Sequence, residues 1–194
     1  MEEKTVQRIV KRAIDASLAL MLLLFLSPIL LLVALAVKLD SRGPALYWSS
    51  RIGQFNQTFS MPKFRTMKVD TPVVATNLLA AEQYVTKLGK FLRKSSLDEL
   101  PQLISILKQD MSFVGPRPAL FNQYALIEQR DKLKINLYLP GLTGWAQING
   151  RDLIEDDEKI QLDLFYVTNW SLFFDLKIMV LTALKVFKRE NISH

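Results

Sequence analysis

The sequence contains no cysteine and a single histidine, His194, at its last position. These absences exclude disulfide scaffolds, thiol nucleophiles, Cys or Cys/His zinc sites and Ser-His-Asp catalysis. Any enzyme built on this chain works with carboxylates, lysines, arginines, hydroxyls and a recruited ion. There is no GxxxxGKS or GxxxxGKT phosphate loop either, so nucleotide binding is not claimed from that chemistry. Of the 194 residues, 49% are apolar, which excludes intrinsic disorder and supplies ample core material. The length favours one domain with an appendage. The net charge is +6, but the basic residues are dispersed among acids and form no recognised nucleic-acid module, so no nucleic acid is expected as a partner.

The apolar residues are distributed unevenly. Ala16 to Val37 is an uncharged run long enough to enter a membrane. A cleaved signal peptide is disfavoured, because the run is too long and the following KLDSRGP has no small-residue cleavage site. Ser27 and Pro28 stand near its middle; proline removes a backbone donor and kinks or breaks a helix, and the serine hydroxyl can bond a carbonyl freed by the break. Lys4, Arg8, Lys11 and Arg12 precede the run, and Lys38, Arg42 and Arg51 follow it, so the positive-inside rule expresses no preference. A kinked single span and a re-entrant helix with both ends on one face both remain open.

Beyond Lys38 the composition is that of a soluble domain. Residues 41 to 67 read as one or two short strands with turns at Gly43-Pro44 and Met61-Pro62, followed by a basic group, Lys63, Arg65 and Lys68. Apolar spacing predicts a helix from about Asn77 to Lys94, weakened at Gly89. Leu100, Leu103, Ile104 and Leu107 have the spacing of another buried helical face. Ser95, Ser96, Asp98 and Glu99 crowd the start of that helix. Ser96 and Glu99 fit a capping box, whereas a cap at Asp98 or Glu99 places Pro101 harmlessly in the first turn. In that second arrangement the two carboxylates face a ligand and are held ionised by the helix dipole, Arg93 and Lys94.

Two adjacent carboxylates repel each other, and a magnesium ion relieves the repulsion while taking phosphate oxygens and water as its other ligands. Asp98 and Glu99 are therefore candidate metal ligands for a diphosphate substrate. Shortly afterwards Gly115-Pro116-Arg117-Pro118 sets an arginine between two prolines, a rigid mount for an anion clamp. Pro140 to Arg151, PGLTGWAQINGR, reads as an irregular loop with close backbone approaches.

The stretches KRAIDASLALMLLLFLSPILLL, KFRTM, SSLDELPQL, DMSFVGPRP, PGLTGWAQINGR and LDLFYVTNWSLFFDLKIM occur in this order from Lys11 onward. Together they resemble the bacterial sugar transferases, monotopic polyprenyl-phosphate phosphoglycosyl transferases, and most nearly their small PglC-like type. SLDELPQL followed by GPRP is the specific part of the likeness. The resemblance implies transfer of a phospho-sugar from a UDP-sugar to undecaprenyl phosphate, releasing UMP, as the first membrane step of a glycan pathway. It places the family's catalytic Asp-Glu dyad on Asp98 and Glu99, with Asp98 the nucleophile that forms an aspartyl phosphate and Glu99 helping to hold Mg2+. Lys63, Arg93 and Arg117 then neutralise phosphate charge. Arg151 becomes a candidate for phosphate or nucleotide, and Asp163 a secondary metal or substrate-site candidate; a structural ion pair is the other reading of each.

The implied architecture is α+β and mostly helical. Residues 1–40 form a basic segment and a re-entrant membrane helix broken at Ser27-Pro28, and residues 41–194 a small cytosolic and interfacial catalytic domain. The expected location is the cytoplasmic face of a bacterial inner membrane. Near the C-terminus Phe165, Tyr166, Trp170, Phe173, Phe174, Ile178, Met179, Leu181, Leu184 and Phe187 mix with Lys177, Lys185, Lys188 and Arg189, which suits an interfacial amphipathic helix on anionic phospholipid or a partly buried core helix. Leu139 stands where family members often carry a basic residue, and the segment from Val69 to Thr86 has no counterpart that can be placed. Neither the sugar nor the oligomeric state is readable, so a homodimer stays open. Two rival readings remain: a membrane-tethered binding or scaffold protein, and direct attack of the lipid phosphate with Asp98 only binding metal.

Overall fold

The computed structural model describes residues 2–69, 71, 83–150 and 155–188. Arg151, Arg189, the side chains of Lys4, Phe187 and Lys188, and the 72–82 stretch lie outside the described residues. Helix α1 (Glu2–Asp40) leads into an antiparallel hairpin of β1 (Leu46–Ile52) and β2 (Thr58–Phe64), then α2 (Lys87–Ser95). A 3-10 helix, Leu97–Gln102, runs into α3 (Leu103–Leu107) and β3 (Ser112–Val114). Helix α4 (Tyr124–Lys132) precedes β4 (Gly141–Thr143), which pairs parallel to β3, and α5 (Trp145–Asn149), α6 (Asp156–Thr168) and α7 (Leu172–Lys188) complete the chain. The α+β, mostly helical class expected from the sequence is present.

Helix α1 has 39 residues, about 58 Å at the usual rise. Among the described residues it is the one helix long and apolar enough to cross a membrane. Its backbone stays helical through Pro28, so the expected break is not a gap in the helix. Pro28 cannot donate to the Leu24 carbonyl, and Ser27 Oγ donates to it instead at 2.8 Å. The two halves of α1 pack on different clusters. Leu18, Ala19, Leu22 and Leu23 join the main core with Leu103, Ile106, Phe113 and Ile178, whereas Leu30, Val33, Ala34 and Val37 join Phe64 and Leu92. Between them Leu24, Phe25, Ser27, Pro28 and Ile29 are exposed, residues that cover most of the helix circumference.

A buried polar knot fastens the first half. Lys11 Nζ lies 2.6 Å from Asp175 Oδ2 on α7 and 3.8 Å from Asp15 on its own helix. Asp175 also accepts from Tyr166 (2.7 Å) and Trp170 (3.1 Å), and Ser112 donates to Asp15 (2.7 Å). Burial, then the Asp175 charge, pushes the Tyr166 hydroxyl far above its ordinary value, so it stays a donor.

Several local expectations change. Residues 84–86 are not helical; α2 begins at Lys87, capped by the Thr86 side chain accepting from Gly89 N at 2.9 Å. Gly89 is a contact point rather than a weakness: a Cβ there would lie 2.1 Å from the Thr66 carbonyl oxygen. Met61-Pro62 is no turn but the interior of β2, opposite Ser49 and Trp48, tolerated because a two-stranded sheet leaves alternate amides unpaired. The helix predicted around Leu100 to Leu107 is split, and the tighter 3-10 winding turns Ile106 inward and Leu107 outward. The stretch read as a loop at 140–151 contains β4 and α5. Helix α7 is partly core: Phe174 and Ile178 are buried, and Phe173, Leu176, Val180 and Leu184 are exposed.

Candidate active site

The site gathers where the 3-10 helix, the end of β2 and the turn after β3 meet. Asp98 and Glu99 occupy the first turn of the 3-10 helix, reached through Ser96, which adopts a left-handed backbone conformation. The Ser96 side chain makes no cap bond, so the capping box is not formed; the Glu99 amide bonds the Ser96 carbonyl instead, at 3.2 Å. Neither arrangement read from the sequence forms: Ser96 holds the cap position without a side-chain bond, Asp98 and Glu99 lie inside the first turn rather than capping it, Pro101 comes later in the short helix, and burial works against the ionised form of Asp98.

Glu99 is gripped from two sides. Its Oε1 is 2.7 Å from Lys63 Nζ on β2 and 3.7 Å from Arg117 Nη2. Asp98 is 5% exposed, and its Oδ1 is buried without a hydrogen-bond partner. Burial pushes the Asp98 carboxyl up to about 6, with Glu99 pushing the same way and Lys63 and Arg93 pulling it back. Arg93 lies in the last turn of α2. Lys63, Arg93, Asp98, Glu99 and Arg117, which the sequence pointed to separately, thus share one electrostatic neighbourhood. Arg65, from the same basic group as Lys63, is structural: it donates to the carbonyls of Arg42 (2.5 Å) and Ser41 (2.8 Å).

The turn carrying Arg117 is built by glycine contacts. Gly115 N donates to Thr143 O and Gly141 N to Pro116 O, each at 2.9 Å. A Cβ on Gly141 would stand 2.1 Å from Gly115 N, and one on Gly144 2.1 Å from Gly115 O, so PGLTG lies flush against GPRP. The close backbone approaches read from the sequence are therefore present.

A cavity of about 290 Å3 opens beside Glu99. It is lined by Glu99, Arg117, Thr143 and Gln147 among others, and on the α7 side by Met179 and Val186. The sequence did not single out Gln147; its only signal was a polar side chain within an apolar turn, and its buried amide has no partner on either atom. Asp163 lies away from this lining. It is buried on α6, with Oδ2 2.5 Å from Arg130 Nη2 on α4. Burial raises its carboxyl and the Arg130 charge opposes that rise. Arg130, also missed, had no sequence signal beyond a charge on an ordinary helix.

Among the described residues no cluster of three or more His, Cys, Asp and Glu could hold a metal unaided. The donor set here is two adjacent carboxylates, one with an oxygen unpartnered, in a basic surround. That set suits a hard cation whose remaining ligands are substrate oxygens and water. Chemically, the arrangement can stabilise a diphosphate and present a carboxylate to phosphorus.

The family model described as bacterial sugar transferase matches residues 6–189. The chain is 44% identical to the uncharacterized sugar transferase EpsL of Bacillus subtilis, over 95% of this chain and 91% of that protein. It is 47% identical to the UDP-glucose:undecaprenyl-phosphate glucose-1-phosphate transferase of Escherichia coli, over 94% of this chain and 41% of that one. It is 42% identical to the undecaprenyl-phosphate glucose phosphotransferase of Komagataeibacter xylinus, over 94% of this chain and 36% of that one. The chain thus spans nearly all of the Bacillus protein and well under half of the other two.

Proposed function

The chain belongs to the bacterial sugar transferase family, and on that premise we propose that it moves a phospho-sugar from a UDP-sugar to undecaprenyl phosphate. The observation that carries the reading is the pair Asp98 and Glu99, with one Asp98 oxygen unpartnered and Glu99 held between Lys63 and Arg117 at the edge of a cavity. An Asp98 oxygen attacks the β-phosphorus of the UDP-sugar; the bond from that phosphorus to the bridging oxygen breaks, and UMP leaves. The phospho-sugar is then an acyl phosphate on Asp98. A phosphate oxygen of the lipid attacks the same phosphorus, the bond to Asp98 breaks, and undecaprenyl-diphospho-sugar and the free carboxylate result.

Lys63, Arg93 and Arg117 offset charge on the equatorial oxygens during both steps. Glu99, with Asp98, fits a magnesium ion, which when bound neutralises diphosphate charge. The cavity wall supplied by Met179 and Val186 is apolar, as suits an acceptor with a hydrocarbon tail.

The membrane meets the protein along α1 and the exposed apolar side of α7. We take α1 as re-entrant, with the exposed stretch around Ser27 and Pro28 in one leaflet and both packed halves returning to the domain on the cytoplasmic face. This brings the carboxylates to headgroup depth, where a polyprenyl phosphate presents its phosphate.

The test is UMP release by the purified protein with magnesium, undecaprenyl phosphate and a panel of UDP-sugars, with Asp98→Asn alongside. Release that needs lipid and Asp98 supports the reading and identifies the sugar. Silence from folded, membrane-inserted protein across the panel transfers the assignment to a tethered binding protein.

A further inference from the structure

The turn that mounts Arg117 is held almost entirely by its carbonyls. Pro116 and Pro118 have no amide hydrogen to give, so the segment 116–119 presents four carbonyl oxygens and only two N–H groups. Each oxygen is taken by a different donor. Pro116 O accepts from Gly141 N (2.9 Å), Arg117 O from Arg130 Nη1 (2.8 Å), Pro118 O from Arg51 Nη1 (3.1 Å) and Ala119 O from Ile52 N (3.0 Å). Two of these donors are charged side chains, Arg51 and Arg130, and the bond at Arg117 itself is the one from Arg130: its side chain is 11% exposed and its other terminal nitrogen is fixed by Asp163, itself 2% exposed. A guanidinium with two parallel tasks of this kind cannot also reach out to a substrate, and a carboxylate so enclosed is no surface ligand.

We propose that Arg130, anchored by Asp163, is a positioning residue that fixes the Arg117 backbone so that its guanidinium meets Glu99 and the substrate phosphate. The proposal assigns Asp163 to this tether rather than to metal or substrate. The kinetic part rests on the reaction proposed above; the structural part does not.

Two measurements test it. The first is amide hydrogen exchange over residues 112–119 in the full-length, membrane-reconstituted protein, comparing wild type with Arg130→Lys and Asp163→Asn, each checked for unchanged circular dichroism. Both variants accelerate exchange in that segment while the β1–β2 hairpin keeps its protection; unchanged exchange overturns the tether. Arg130→Lys keeps the charge and serves alone if Asp163→Asn fails to fold.

The second is a double-mutant cycle on UMP release. Arg130→Lys lowers turnover by up to about 100-fold, the scale of a misplaced catalytic group. Adding Arg117→Lys to Arg130→Lys costs far less than Arg117→Lys costs in wild type, because Arg130 acts through Arg117. Full additivity overturns the positioning role. If wild type releases no UMP, the reaction assignment fails while the exchange result still decides the tether.

Discussion

Two buried acidic groups in this molecule, Asp175 and Asp98, are treated in opposite ways. Asp175 is surrounded by donors: Lys11, Tyr166 and Trp170 all reach it, and through Lys11 and Asp15 the knot ties α1 to α7 and β3. Asp98 has comparable burial, but one of its oxygens has no partner and its neighbour Glu99 takes the nearest lysine. A satisfied buried network rigidifies; an unsatisfied one costs stability and is retained where chemistry uses it. The first region holds α1 on the domain, and the second keeps a carboxylate oxygen unpartnered, as the proposed reaction requires.

The comparison breaks most sharply at Asp98. Asp98→Asn lowers UMP release by about 10^4-fold or more without unfolding the protein, the scale seen when an essential nucleophile is removed; a radiometric or luminescent UMP assay reads it. Asp175→Ala does the reverse. It leaves Lys11 buried without its closest partner and costs about 3–5 kcal/mol of stability, measured by thermal unfolding in lipid nanodiscs, while turnover per folded molecule stays close to wild type.

A pH series sharpens the contrast. Asp98 has an ordinary value of 3.8 and is raised to about 6 in the fold, so between those values the folded state binds more protons than the unfolded one. In chelator-treated protein the Asp98 contribution to stability therefore falls as pH rises from 4 to 6 and then levels off. Asp98→Asn removes this loss: the variant is more stable than wild type at pH 7 by about 2–3 kcal/mol, and the gap closes below pH 4. Ser27→Ala is the smallest expected change. It leaves the Leu24 carbonyl without the hydroxyl that replaces the missing Pro28 amide, and costs about 1 kcal/mol.

How much was legible in the sequence follows from what each signal encodes. The apolar run, the Asp98-Glu99 pair, the Arg117 mount and the serine beside Pro28 are local, and local patterns survive folding. The register after Asp98 is not legible from apolar spacing, which assumes a single helical period, because a 3-10 turn precedes α3. The glycines of 140–151 signal an irregular loop in the sequence, whereas in the fold Gly141 and Gly144 serve contact with Gly115. Lys11 with Asp175 and Arg130 with Asp163 are 164 and 33 residues apart in sequence, and no periodicity marks such pairs.

The measurement that bears most directly on Asp98 is intact-protein mass spectrometry of wild type and Asp98→Asn, incubated with magnesium and the accepted UDP-sugar but without lipid and quenched within one turnover. The account predicts a phospho-sugar adduct on wild type that maps to Asp98, disappears when undecaprenyl phosphate is added, and is absent from the variant. Robust turnover with lipid, but no adduct and no UMP release without it, would contradict the covalent role and leave Asp98 as a metal ligand in a direct transfer.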